Sequence, residues 1–130
     1  FGFPLASEGS AERAVRAGMA MLVELDGLVA VWKQQGTASI ERIGIGIDTG
    51  SVVFAEIGGR TKSQFDIIGD CINGASRIEG LTKEMKQDIL LSEEVSRRLE
   101  GNDSLSGAFR FVKAVAVRGQ GRRRIYGRVR

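Results

Sequence analysis

Residues 64–79 read Gln64-Phe65-Asp66-Ile67-Ile68-Gly69-Asp70-Cys71-Ile72-Asn73-Gly74-Ala75-Ser76-Arg77-Ile78-Glu79. The run 65–69 is short, apolar and closed by glycine, which predicts a strand and a turn. Asp70 then stands where a helix over 70–81 would be capped, with Ile72, Ala75, Ile78 and Glu79 at helical spacing. Asn73 and Arg77 are four residues apart and share a helical face. An amide and a guanidinium on one face suit a sugar and a phosphate, because the planar fork of arginine matches phosphate oxygens. Asp66, at the end of the strand, carries a carboxylate that only accepts hydrogen bonds, so it could select a base bearing an amino group. Each residue also has an ordinary structural explanation. Arg77 could pair with Glu79 or Asp70, Asn73 could be a surface helix residue, and Asp66 could cap a turn.

Upstream, Ala14, Ala17, Gly18, Met21, Leu22, Leu25, Leu28, Val29 and Trp32 recur every three or four residues. They predict an amphipathic helix of about six turns, capped by Ser10 and stopped by Gly36. Gly18 and Gly27 each weaken its intrinsic propensity by roughly 1 kcal/mol, so packing must hold it or a strand must approach it closely. Between the two helices, Ile43, Ile45 and Ile47 alternate with Gly44, Gly46 and Asp48. With a turn at 49–51 and a second apolar run at 52–57, this reads as a β-hairpin whose glycine face admits a close neighbour. Downstream, the pattern predicts a short strand at 88–92, a short helix capped by Ser92 and a polar loop at 100–107. Two last strands, 109–118 and 124–130, would be joined by a hairpin turn at Gly119-Gln120-Gly121. The order of elements gives one α+β domain with a largely antiparallel sheet.

Composition narrows the chemistry. The chain has 130 residues, with 42% hydrophobic and 27% charged, the balance of one globular domain. It contains no histidine, which removes histidine-based triads, histidine-ligated zinc and imidazole general bases. Its one cysteine, Cys71, can form no internal disulfide and fits a reducing compartment, with the cytoplasm as the default. The stretch 19–32 is too short and too charged to span a bilayer. The first residues show no signal peptide and suggest a piece of a longer chain. The net charge is +3, yet Arg118, Arg122, Arg123, Arg124, Arg128 and Arg130 crowd the C-terminal end; taking six charges from +3 leaves −3 for the rest. Tyr126 is the one aromatic among them, so solvated arginines flanking an edge strand are expected rather than a nucleic-acid face. Two phosphate-loop patterns fail: 44–50 has its third glycine one place late and leads into a strand, and 58–63 lacks the glycine spacing before its Lys-Ser.

Together with its flanks, the central block resembles the class III nucleotidyl cyclases. Residues 66–79 are similar to the family's "D-x-x-G-x-x-V-N-x-A-S-R" signature, with Ile72 where valine is common. Residues 42–57 resemble its "R-I-G-I-x-x-G-x-V" strand pair, and Val117-Arg118-Gly119-Gln120-Gly121 its "V-K-G" segment. Phe1-Gly2-Phe3-Pro4-Leu5 followed by Ala11-Glu12-Arg13-Ala14-Val15 looks like the end of the metal-binding hairpin and the helix after it. The resemblance implies a ferredoxin-like cyclase homology domain truncated at its N-terminus, residues 1–130 forming a partial catalytic domain. It implies attack of the ATP 3′-hydroxyl on the α-phosphorus, two metal ions, magnesium or manganese, and a site shared between two domains arranged head to tail, here a homodimer. By the same resemblance, Asp66 would accept from the adenine amino group, Asn73 would orient the ribose and Arg77 would stabilise charge on the α-phosphate. Arg118 would meet the terminal phosphates where the family usually has lysine.

The family's metal-binding aspartates, and the lysine that partners the adenine-reading aspartate, belong upstream of Phe1, so no metal ligand is assigned in this chain. The segment alone is expected to be inactive, with exposed sheet edges that lower its stability or drive association. Any membrane attachment would come from upstream domains. The alternatives of the same fold are a non-catalytic nucleotide-binding or dimerisation module, and a guanylate cyclase, which Asp66 disfavours.

Overall fold

The computed structural model describes residues 1–2, 7–37, 40–59, 62–117 and 121–129. The first helix, α1 (Ser10–Gln35), ends at Gly36 in the left-handed conformation (φ 66°), whose N–H returns to the Lys33 and Trp32 carbonyls. That stop is the one the sequence predicts. The start differs: Gly9, also left-handed (φ 71°), holds the N-cap position, and no side chain caps the helix. Ser10 is already helical.

Among the described residues, six strands follow, in two sheets: β1 (Ile45–Ile47), β2 (Val53–Gly59), β3 (Lys62–Ile68), β4 (Ile89–Ser92), β5 (Phe109–Val117) and β6 (Gly121–Arg128). Four form a sheet in the order β1-β4-β6-β5, and β2 and β3 form a separate two-stranded ribbon. The expected hairpin over 42–58 is therefore corrected. β1 pairs in parallel with β4, Gly46 opposite Leu90, while β2 pairs antiparallel with β3, Ala55 opposite Asp66. The turn after β1 does not fold the chain back on itself; it passes the chain out of the sheet into the ribbon. The remaining pairs, β4 with β6 and β5 with β6, are antiparallel, so the α+β, mainly antiparallel expectation holds.

Helix α2 (Asp70–Met85) begins after Gly69, with no side-chain cap and with Asp70 as the acid of its first turn. Asp70 thus acts on the helix dipole and not as the cap. Helix α3 (Glu93–Arg98) is capped as predicted, Ser92 Oγ accepting from the Val95 N–H at 3.3 Å. The stretch read as a polar loop contains one helical turn, α4 (Asp103–Ser106). Asn102 Oδ1 accepts from the Leu105 N–H there, and Leu105 turns into the core.

The sheet has two unlike faces. On one, Ile89 and Leu91 pack with Ala11 and Val15 of α1, Val95 and Leu99 of α3, Leu105 and Phe109. On the other, Leu90 and Ile125 pack with Ile78 of α2, flanked by Leu81, Met85 and Val115. The alternation Ile45, Gly46, Ile47 decides which is which: the isoleucines face α1 and the glycine faces α2. Among the described residues, no helix is long and apolar enough to cross a membrane.

Candidate functional site

The site is built on the seam between β1 and α2. A Cβ placed on Gly46 would overlap the Ala75 carbonyl oxygen and the Glu79 amide nitrogen, both backbone. One on Gly44 would overlap Thr82 Oγ1. The glycine face legible in the sequence is therefore the bed of α2, and it lets the two backbones touch. Gly74 makes the reciprocal approach from the helix, onto the carboxylate of Asp48.

That carboxylate is fully buried and paired. Arg123 Nη1 donates to Asp48 Oδ2 at 2.8 Å and Nη2 to Oδ1 at 2.9 Å, a two-pronged geometry that arginine makes well. The side chains are 0% and 24% exposed. Oδ1 also accepts from the Thr49 N–H at 2.9 Å. The hydrogen bond to Asp48 is the main cause that holds the Arg123 guanidinium above its ordinary value; burial opposes it. A raised arginine contributes stability below its unfolded value and loses it only as pH climbs through the raised one. On the arginine side the pair is therefore insensitive to pH around neutrality.

Sequence reading missed this pair. It placed Arg123 among solvated arginines beside an edge strand, but β6 lies between β4 and β5. Its residues 123, 125 and 127 turn toward α2, with Ile125 and Gly127 buried. Arg124, on the opposite face, lies over the Phe111 ring at 4.8 Å and the Tyr126 ring at 5.7 Å. The signal was present: Gly44, Gly46 and Asp48 share one face, and so do Arg123, Ile125 and Gly127.

Asn73 and Arg77 stand on α2 beside its buried residues Gly74 and Ile78, and both are exposed. Among the described residues Arg77 makes no ion pair, so neither Glu79 nor Asp70 occupies it. Asp66 is exposed on β3 and its Oδ1 accepts from the Ile67 N–H at 2.8 Å. Asn73 and Arg77 thus share one face of α2; Asp66 lies on β3, which Gly69 alone separates from α2 in the chain. Arg118 lies outside the described residues. Among the described residues, no group of three or more histidine, cysteine, aspartate or glutamate side chains could hold a metal ion. Asp48, the buried carboxylate of the seam, is already bound to Arg123 and Thr49. Among the described residues, the donor set does not fit a divalent metal.

The adenylate and guanylate cyclase catalytic domain model matches residues 1–127. An adenylate cyclase of Anabaena cylindrica is 38% identical over 120 residues, covering 89% of this chain and 24% of that protein. Adenylate cyclase 1 of Rhizobium meliloti is 32% identical over 92 residues, covering 71% of this chain and 14% of its own length. The adenylyl cyclase CyaB from P. aeruginosa superposes with a TM-score of 0.79 at 28% identity, over 100% of this chain and 65% of that one. The guanylyl cyclase Cya2 shares the fold, with a TM-score of 0.74 at 24% identity over 98% of this chain and 61% of its own. The chain therefore spans only a minor part of the curated relatives it matches. With the β1–α2 seam, the exposed Asn73 and Arg77 and a family match over nearly its whole length, this chain belongs to the adenylate and guanylate cyclase catalytic domain family.

Proposed function

We propose that this chain is the nucleotide-holding part of an adenylate cyclase, which converts ATP to 3′,5′-cyclic AMP and pyrophosphate. The observation that carries the reading is Asn73 and Arg77 side by side on a helix bedded by backbone contact, with Arg77 free of ion pairs among the described residues. An arginine kept free of surface partners is available to an anion.

In the reaction, the ATP 3′-oxygen forms a bond to the α-phosphorus, the bond to pyrophosphate breaks and the hydroxyl proton leaves. Arg77 donates to the α-phosphate oxygens as they gain charge. Asn73 hydrogen-bonds the ribose and holds the 3′-hydroxyl in line. Asp66 accepts from the adenine amino group; guanine presents a carbonyl at that position, which a carboxylate repels. Arg118 meets the terminal phosphates. In this reading the divalent metal of the family, magnesium or manganese, is held by residues of the full-length protein outside this chain.

A second cyclase domain, a head-to-tail copy of this one, completes the site in this reading. The ribbon supports it: Val53 and Ile68, cross-strand partners, are 65% and 55% exposed. Apolar side chains so placed suit a protein contact. The low cysteine count supports a cytoplasmic setting.

The test is cyclase activity of the full-length protein with ATP and with GTP, beside Arg77→Ala. Cyclic AMP from ATP, with turnover falling about 10²–10³-fold in Arg77→Ala, is the expected result. Nucleotide binding without turnover under magnesium and under manganese would instead make this a regulatory module, and preference for GTP would overturn the role of Asp66.

A further inference from the structure

We propose that the buried Asp48–Arg123 pair is the positioning device that sets the N-terminal half of α2, and through it Asn73 and Arg77, for the reaction; this rests on the reading of Arg77 given above. Beside the packing of Ile78 on Leu90 and Ile125, three close contacts among the described residues bed α2 on the sheet. Two are glycine contacts from β1, at Gly44 and Gly46, and they hold the helix from Ala75 onward. The third is the ion pair, and it meets the helix nearest its start. A Cβ on Gly74 would overlap Asp48 Oδ2 and lie 3.1 Å from Arg123 Nη1. Gly74 adjoins Asn73, and Arg77 follows one turn later.

The pair also ties together three elements that the sheet alone leaves apart at this level. Asp48 follows β1 at one edge of the sheet. Arg123 lies on β6, two strands away in the order β1-β4-β6-β5. The four residues of β4 end at Ser92, which pairs with Ile125, so neither Asp48 nor Arg123 has a ladder partner on β4. Beyond the end of β4, the ion pair takes over the spacing of the sheet under α2. Both carboxylate oxygens are engaged by Arg123, and Thr49 N–H fixes Oδ1 from the other side. The carboxylate therefore presents one fixed surface to Gly74. A hydrophobic pair could fill the same space but would not fix orientation through two parallel hydrogen bonds.

The experiment uses the full-length protein and compares wild type, Asp48→Asn and Arg123→Lys, each alone and combined with Arg77→Ala, by kcat and KM for ATP. Asp48→Asn keeps the shape and loses the charge; Arg123→Lys keeps the charge and loses the fork. A displacement of this kind is expected to lower kcat ~10–100-fold with KM little changed. Arg123→Lys should fall between Asp48→Asn and wild type. In the Arg77→Ala background the same substitutions should cost much less, because the group they position is gone. A purely structural role would instead lower activity by an equal factor in both backgrounds, in step with the folded fraction by circular dichroism, and would overturn the proposal. So would full kcat in folded Asp48→Asn. If Asp48→Asn does not fold, Arg123→Lys decides alone, and wild-type kcat in it sinks the idea. If wild type makes no cyclic AMP, the cyclase reading and this inference fall together. If wild type is active and Arg77→Ala is not, while both pair variants turn over normally, only the positioning role fails.

Discussion

Helices α1 and α2 both carry glycines and both lie on the same sheet, yet they are held in opposite ways. Helix α2 buries Gly74, Ile78 and Thr82 along its length, with backbone touching backbone at Gly46. Helix α1 is longer but buries only Ala11, Val15 and Gly18, all near its start. Beyond Gly18 it carries Met21 and Val23 at 55% and 63% exposure, with Leu28 and Val31 exposed as well. The contrast separates two uses of an amphipathic helix. The one that bears Asn73 and Arg77 has little room to shift, because close contact on a glycine bed leaves few alternative positions. The other is fixed at one end and leaves Met21, Val23, Leu28 and Val31 exposed beyond it.

The largest expected effect attacks the bed of α2. Gly46→Ala puts a methyl group against the Ala75 carbonyl and the Glu79 backbone, and neither can swing aside as a side chain would. The helix must lift, at a cost of about 3 kcal/mol, the upper end for overpacking. Urea denaturation of the protein would show it as a lowered midpoint; an unchanged midpoint would mean that α2 does not lie where described. Next in size is a matched pair of truncations. Ile78→Ala on α2 removes a side chain 4% exposed in the second core cluster and should cost about 2–4 kcal/mol. Met21→Ala on α1 removes one that is mostly in water and should stay within about 0.5 kcal/mol. If Met21→Ala proved as costly as Ile78→Ala, Met21 would be covered in the folded protein and the two helices would be held alike.

How much of this was readable in the residues follows from which forces are local. The 3.6-residue period of 14–32 and the Gly36 stop act within α1, so its extent and end were legible. So was Ser92, whose cap bonds only three residues ahead. The alternation of Gly44, Gly46 and Asp48 announced a close neighbour, although not which one. Pairing was less legible. Alternation at 43–47 and 52–57 looks the same whether the two strands join each other or go to different sheets, and β1 finds its partner β4 more than 40 residues away. The Asp48–Arg123 pair spans 75 residues, so charge composition alone read Arg123 as one more surface arginine. That Asn73 and Arg77 share a face was legible because helical spacing fixes it. The contact of Gly74 with Asp48 was hidden because it joins the helix to a residue beyond the end of β1, far off in sequence.

The smallest predicted effect separates the kinds of glycine within the two helices. Among the described residues, nothing lies within 4 Å of where a Cβ would stand on Gly27 of α1 or Gly80 of α2. Both lie inside regular helix, where alanine outranks glycine because it loses less backbone freedom on folding. Gly27→Ala and Gly80→Ala should each raise stability by about 0.5–1 kcal/mol, read as a higher urea midpoint with an unchanged slope. Gly74→Ala sits in the same helix as Gly80 and has the same intrinsic preference, yet should move the other way, because its methyl group would overlap Asp48 Oδ2. The sign change between positions 74 and 80 isolates tertiary contact from helix propensity, since propensity is held constant. Equal gains at both would mean that the ion pair does not press on α2, and that helix propensity alone governs glycine there.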